Sequence, residues 1–182
     1  MSPHRRIATL PNVLTMARIL CVPFFVWAAV QETLLWQYAA LALFLLASLT
    51  DLIDGQLARR RNQITDFGKL ADPIADKALT GAAFILFSLQ GVIPWWVTLL
   101  ILAREWSITV ARLVVRNRVV HAANAGGKLK TTLQITGISL VLYPADGFLG
   151  WLLHPAGIIT VWAAMLVTVW TGLLYVRELR RV

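Results

Sequence analysis

Acidic residues are scarce in this chain. Nine Asp and Glu stand among 182 residues, and charged residues of both signs make up only 14%. A soluble domain of ordinary composition carries about 25% charged residues and roughly 45–50% apolar ones. Here 58% are hydrophobic, which excludes a soluble fold with a polar coat. Cysteine is almost missing too. The single Cys21 excludes an internal disulfide, and its apolar surroundings suit a small packing residue. Lysine and arginine are absent from the stretches 31–35, 90–94 and 144–155. Most of the 17 basic residues gather instead in short segments between or at the ends of apolar runs. The net charge of +8 therefore forms no continuous basic face, and nucleic acid is not an expected partner. There is no internal repeat and no low-complexity segment.

What is present is a series of six apolar runs, near 13–31, 36–58, 70–90, 94–116, 129–144 and 155–176. Each is compatible with a membrane-crossing helix of about 20 residues. The expected fold is all-α: a polytopic membrane protein of six transmembrane helices, built as one domain over 1–182. Arg5 and Arg6, Arg59 to Arg61, Arg116 and Arg118 with Lys128 and Lys130, and Arg177, Arg180 and Arg181 all fall on one side of such an arrangement. The positive-inside rule makes that side cytoplasmic and puts both termini there. Eight tryptophans suit the membrane interfaces, and the basic segments suit anionic lipid head groups. The N-terminal His-Arg-Arg before an apolar run resembles a secretory signal. Arg18 interrupts that run and no small-x-small cleavage site follows, so a retained first span is expected.

Five of the nine acids lie between positions 51 and 76. The uncharged parts of spans two and three, 36–50 and 78–90, are too short to cross about 30 Å of hydrocarbon at ~1.5 Å per residue. The acidic turns between them must then face a polar cavity open to the cytoplasm, because charges at membrane depth are otherwise costly. Asp51 and Asp54 are spaced i,i+3, with Gly55 and Ala58 continuing that helical face; Gly68, Asp72 and Asp76 repeat at i,i+4. Two helices on a short connection are usually antiparallel neighbours, so the carboxylates can converge. Converging carboxylates repel unless hard cations such as Mg²⁺ or Mn²⁺ sit between them. Two such ions suit phosphoryl-type transfer, since they can bridge a pyrophosphate and stabilise the leaving phosphate. Gly55 and Ala58 leave room for a base or ribose, or for tight helix packing. Arg59 can pair with a diphosphate. Thr65 either hydrogen-bonds a nucleotide or starts the turn. In the first span Asn12, Thr15 and Arg18 form one stripe that lines the same cavity, with Asn12 or Thr9 as a helix cap in the plainer view.

A second group of polar residues consists of Arg104, Glu105 and Arg112 in span four, followed by Lys128 and Lys130. An arginine near mid-span is expensive unless partnered. Glu105 and Arg112 are seven apart and share a face, so a structural ion pair is one use for Glu105. The basic residues suit holding a phosphate-bearing second substrate, because Arg grips phosphate bidentately and a helix start favours anions. Spacing leaves open whether Arg112, Arg116 or Arg118 reaches such a pocket.

The pattern D-x2-D-G-x2-A-R-x8-G-x3-D-x3-D, filled by Asp51, Asp54, Gly55, Ala58, Arg59, Gly68, Asp72 and Asp76, resembles the signature of the CDP-alcohol phosphotransferases, membrane enzymes of phospholipid synthesis. The resemblance implies that Asp51, Asp54 and Asp72 bind two divalent ions. Asp76 would bind metal and act as general base. It also implies that Gly55, Ala58, Arg59, Thr65 and Gly68 surround the CDP group of CDP-diacylglycerol, and that CMP leaves. The run GKLKTTLQ at 127–134, with Arg104-Glu105 and DPIADK at 72–77, resembles the branch of bacterial enzymes that make phosphatidylglycerophosphate. The similarity reaches from about Pro11 to Gln134, and the last span shows no motif. On that resemblance sn-glycerol 3-phosphate is the acceptor, its phosphate held by Arg104, Arg112, Lys128 and Lys130 while Asp76 takes the proton from its 1-hydroxyl. A homodimer in the bacterial plasma membrane, with the site facing the cytoplasm, is likewise implied by the family. An acceptor such as inositol phosphate is the same-family alternative. A divalent-cation transporter is the distant one, disfavoured because the outer halves of spans one to three are apolar and offer no path across.

Overall fold

The computed structural model describes the backbone of residues 10–61, 66–114 and 124–179; at 10–12, 51–61, 66–73, 76, 112–114, 124–125 and 178–179 it describes the backbone alone. All regular structure among the described residues is α-helical, as the composition implies. Six helices follow in order: α1 Leu10–Ala29, α2 Leu34–Arg61, α3 Asp66–Leu89, α4 Trp95–Val114, α5 Asn124–Leu142 and α6 Gly147–Leu179. They match the six apolar runs one to one, but two ends move. α5 begins about a turn before position 129, so Lys128 and Lys130 sit past its first turn, and the unpaired amides of the helix start belong to residues ahead of them. α6 begins at Gly147 and runs through Pro155, so most of 144–155 is helix rather than loop. A proline removes one backbone hydrogen bond, yet α6 continues as helix on both sides of Pro155.

The chain divides into two compact units, Met1–Ala83 and Phe84–Val182. In the first, α1 and α2 are joined by a short connection and pack side by side. Phe25 and Phe44, both fully buried, meet at 5.9 Å between ring centroids, and Trp27 sets its edge on Trp36 at 4.6 Å beside the turn. Buried Ala28 and Ala40 contribute little bulk to this unit's core. In the second unit, Gly91 adopts φ +73°, a conformation glycine takes without strain, in the turn from α3 to α4. Past it, the buried Thr98 hydroxyl donates to the Phe84 carbonyl at 3.1 Å and lies 2.8 Å from Ser88 Oγ, tying α4 to the end of α3. Trp96 meets Trp162 edge-on, joining α4 to α6.

The most extensive packing is α5 against α6. It depends on missing side chains. A Cβ at Gly137 would stand 3.0 Å from the Val161 amide nitrogen, and one at Gly157 would stand 2.7 Å from that of Val141. The two backbones therefore run antiparallel in near contact, the arrangement small residues permit between apolar helices.

Much of the surface is apolar, and several polar side chains share the apolar interior. Leu20, Phe24, Leu46, Leu99, Ile159, Leu166, Trp170 and Leu173 are exposed, while Thr15, Arg18, Ser48, Ser88, Thr98, Lys130, Gln134, Thr168 and Thr171 are buried. Exposed apolar surface on this scale marks contact with something other than water. Hydroxyls along the helices bond to their own backbone: Thr50 to Leu46, Ser139 to Ile135, Thr160 to Ala156 and Thr168 to Ala164 all donate four residues back. That bond satisfies a polar group where no water can. Among the described residues one segment, Gly147–Arg177, is long and apolar enough to cross a membrane. Val13–Ala29, Leu34–Thr50 and Lys77–Leu89 are shorter apolar stretches. α2 and α3 continue as helix beyond theirs, into the acidic positions.

Candidate functional site

Helical backbone carries the acidic motif. Asp51, Asp54, Gly55, Ala58 and Arg59 lie on the last turns of α2, and Gly68, Asp72 and Asp76 on the first turns of α3. With 3.6 residues per turn, positions 51 and 54 share one face and positions 72 and 76 another. The side chains of these eight residues, and those of Asn12 and Arg112, lie outside the described residues, and Thr65 lies outside them altogether. Among the described residues no group of three or more His, Cys, Asp or Glu could hold a metal ion. The donor set in the motif is four carboxylates with no thiol or imidazole, which fits a hard, oxygen-seeking divalent cation. On α1, Thr15 and Arg18 are buried, three residues apart on one stripe.

The basic cluster is seen directly. Arg104 and Glu105 stand near the middle of α4, and Lys130 stands a turn and a half into α5. Glu105 Oε1 accepts from Lys130 Nζ at 2.5 Å and from Arg104 Nη1 at 3.2 Å. All three side chains are at least five-sixths buried: 16% of Arg104, 14% of Glu105 and 9% of Lys130 remain exposed. Carboxylate contacts of this kind are strong because both partners are ionised and water is largely excluded. Two residues expected to hold an acceptor phosphate, Arg104 and Lys130, are thus brought together by Glu105. Lys128 is exposed, two residues before Lys130 and pointing elsewhere on the helix.

α6 completes the cluster, although its sequence shows no motif. Arg104 Nη2 donates to Thr171 Oγ1 at 2.7 Å, and that hydroxyl donates in turn to the Val167 carbonyl at 2.8 Å. A hydroxyl has one proton and two lone pairs. Spending the proton on its own helix leaves Thr171 a pure acceptor toward the guanidinium. The next residue clears the path: a Cβ at Gly172 would stand 3.2 Å from Arg104 Cγ. Gly126, at the start of α5, likewise makes room for Thr171, whose Cγ2 would lie 2.6 Å from a Cβ there. The only sequence signal for this support is a Thr-Gly pair inside an apolar helix, which spacing alone does not distinguish from ordinary helix packing.

The first unit carries four carboxylate-bearing positions at the end of α2 and the start of α3. The second carries a buried Arg–Glu–Lys cluster on α4 and α5, braced by α6.

A family model described as CDP-alcohol phosphatidyltransferase matches residues 8–170. A Mycobacterium tuberculosis protein named probable phosphatidylglycerophosphate synthase is 45% identical over 184 residues, covering 97% of this chain and 84% of that protein. The CDP-diacylglycerol–glycerol-3-phosphate 3-phosphatidyltransferase of Bacillus subtilis is 36% identical over 176 residues, covering 90% of this chain and 91% of that protein. The Escherichia coli protein of the same name is 35% identical over 177 residues, covering 94% of each. With four carboxylates at the family's spacing on two helices and a match over most of its length, the chain belongs to the CDP-alcohol phosphatidyltransferase family.

Proposed function

We propose that the protein transfers a phosphatidyl group from CDP-diacylglycerol to sn-glycerol 3-phosphate, giving phosphatidylglycerophosphate and CMP. The observation that carries this is the convergence of Arg104 and Lys130 on Glu105 inside the second unit. The family supplies the CDP-lipid chemistry, and a built cationic cluster supplies what a phosphate-bearing acceptor needs. Relatives named for this reaction support the same acceptor.

In this mechanism Arg104 and Lys130, with Arg112, hold the phosphate of the acceptor, while exposed Lys128, on another face of α5, stays outside the pocket. Asp76 takes the proton from its 1-hydroxyl. The oxygen attacks the phosphorus that bears the diacylglycerol, the bond from that phosphorus to the bridging oxygen breaks, and CMP leaves with the electron pair. A positioned general base is worth about 10²–10⁴ in rate. Asp51, Asp54, Asp72 and Asp76 would hold a pair of divalent cations, Mg²⁺ or Mn²⁺, which supply charge neutralisation at the pyrophosphate. Gly55, Ala58 and Gly68 leave room for the nucleotide, while Arg59, Thr65, Asn12 and Thr15 bind and orient it. Cations held in place by those carboxylates would need no reorganisation as charge moves to the departing phosphate.

The chain acts as one domain over 1–182, and the family match spans both compact units. Six helices cross the bacterial plasma membrane with both termini and the site facing the cytoplasm, and two chains form a homodimer. The absence of Lys and Arg from 31–35, 90–94 and 144–155 supports this orientation, because basic residues favour the cytoplasmic side.

The test is CMP release by purified protein in detergent, with CDP-diacylglycerol, Mg²⁺ and one acceptor at a time. Release with sn-glycerol 3-phosphate alone, lost in Asp76→Asn and on chelation of the metal, is expected. Release only with inositol phosphate keeps the family and overturns the acceptor.

A further inference from the structure

One buried polar side chain takes no part in the cluster. Gln134 lies on α5 one turn after Lys130, is 4% exposed, and its Nε2 has no hydrogen-bond partner among the described residues. Buried amides left unpaired are costly, and native proteins hold few of them without a reason. The register of α5 on α6 shows why the fold does not satisfy this one. Gly126 faces Thr171, Gly137 faces Val161 and Val141 faces Gly157. The numbers run in opposite directions, so Lys130 stands level with Thr168 and Gln134 level with Ala164. Ala164 offers no side-chain acceptor, and its carbonyl already accepts from Thr168 Oγ1 at 2.6 Å. Helical side chains lean toward the N-terminus of their helix, which carries the Gln134 amide back over the turn that holds Lys130.

We propose that Gln134 determines acceptor specificity, its amide bonding a hydroxyl of the phosphorylated polyol whose phosphate Arg104 and Lys130 hold. This rests on the acceptor assigned above. A phosphate needs cations, and Arg104 and Lys130 provide them. A hydroxyl needs a neutral partner, and a carboxamide both donates and accepts. Four residues of helix rise about 6 Å, the reach of a three-carbon phosphate ester. A site built to hydrogen-bond a substrate hydroxyl rejects the analogue that lacks it, because the buried amide is then left unpaired.

The experiment measures kcat/KM for CMP release by the full-length protein in detergent with two acceptors. One is sn-glycerol 3-phosphate. The other is 3-hydroxypropyl phosphate, which keeps the phosphate and the attacking hydroxyl but lacks the hydroxyl on the middle carbon. Wild type should prefer the first. Gln134→Met, of nearly equal volume, should lose about 10–100-fold on sn-glycerol 3-phosphate and under about threefold on the analogue, so the preference collapses. Gln134→Leu, also neutral and close in volume, serves if the Met variant does not fold, with the same expectation. Equal losses on both acceptors, or no loss on either, would overturn the role of Gln134 while leaving the reaction intact. No release by wild type with either acceptor removes the acceptor assignment itself, and this inference with it.

Discussion

Thr171 acts on the cluster only through Arg104, so its contribution is one of position. Thr171→Val keeps the shape and removes the acceptor that the guanidinium uses at 2.7 Å. A hydrogen bond to a charged group is worth about 1.5–3 kcal/mol. The expected outcome is a KM for sn-glycerol 3-phosphate raised about tenfold with kcat changed less than about threefold, and recovery in Thr171→Ser. A fall in kcat alone would argue against it. Glu105 has the opposite character, since it balances two cations. Removing one partner of a buried pair strands the others, at about 3–5 kcal/mol when burial is complete. With 14% of Glu105 exposed, a loss on the order of 2 kcal/mol is the expectation for Glu105→Gln. It should appear as a thermal midpoint lowered by roughly 5 °C in detergent. Inorganic phosphate should raise that midpoint more in the variant than in wild type, because an anion replaces the missing carboxylate.

The pairing of α5 with α6 depends on where Cβ atoms are absent. Gly157→Ala would place a methyl 2.7 Å from a backbone nitrogen that cannot swing aside. Overpacking of this kind costs about 1–3 kcal/mol. Gly127→Ala is the internal control, since nothing lies within 4 Å of its Cβ position and alanine favours helix over glycine by about 1 kcal/mol. Thermal unfolding of the two variants should therefore move in opposite directions. Both glycines look alike in the sequence, and only the opposing helix separates them. The same holds for α6 as a whole. Its apolar run was legible as a span, but Pro155 hid its first two turns, and nothing in its composition marked Thr171 as the partner of an arginine 67 residues away.

At the scale of the whole molecule, the many exposed leucines and tryptophans make the surrounding medium part of the fold. Without lipid, the exposed apolar side chains would associate with one another. The proposed topology can be checked with single cysteines in a Cys21→Ser background. Gln90→Cys and Asp146→Cys should react with a membrane-impermeant maleimide in intact cells, and Arg181→Cys only after the cells are opened. Labelling of position 181 from outside would reverse the orientation.

The sequence alone determined the helical class, the six segments, the separation of basic from basic-free connections and the acidic motif. These depend on hydropathy, charge and short-range spacing, which act within one helix or between its end and the membrane. It also picked out Arg104 as a mid-span charge needing a partner, Glu105 as a candidate for an ion pair and Lys130 as a phosphate-binding residue. Which partner each takes was decided by tertiary structure. Glu105 lies next to Arg104 in sequence yet reaches Lys130 25 residues on. Thr171 and Gln134 became notable only once the antiparallel register of α5 and α6 was fixed. That register is set by which small side chains let two backbones touch, a property of a pair of surfaces that neither helix carries by itself.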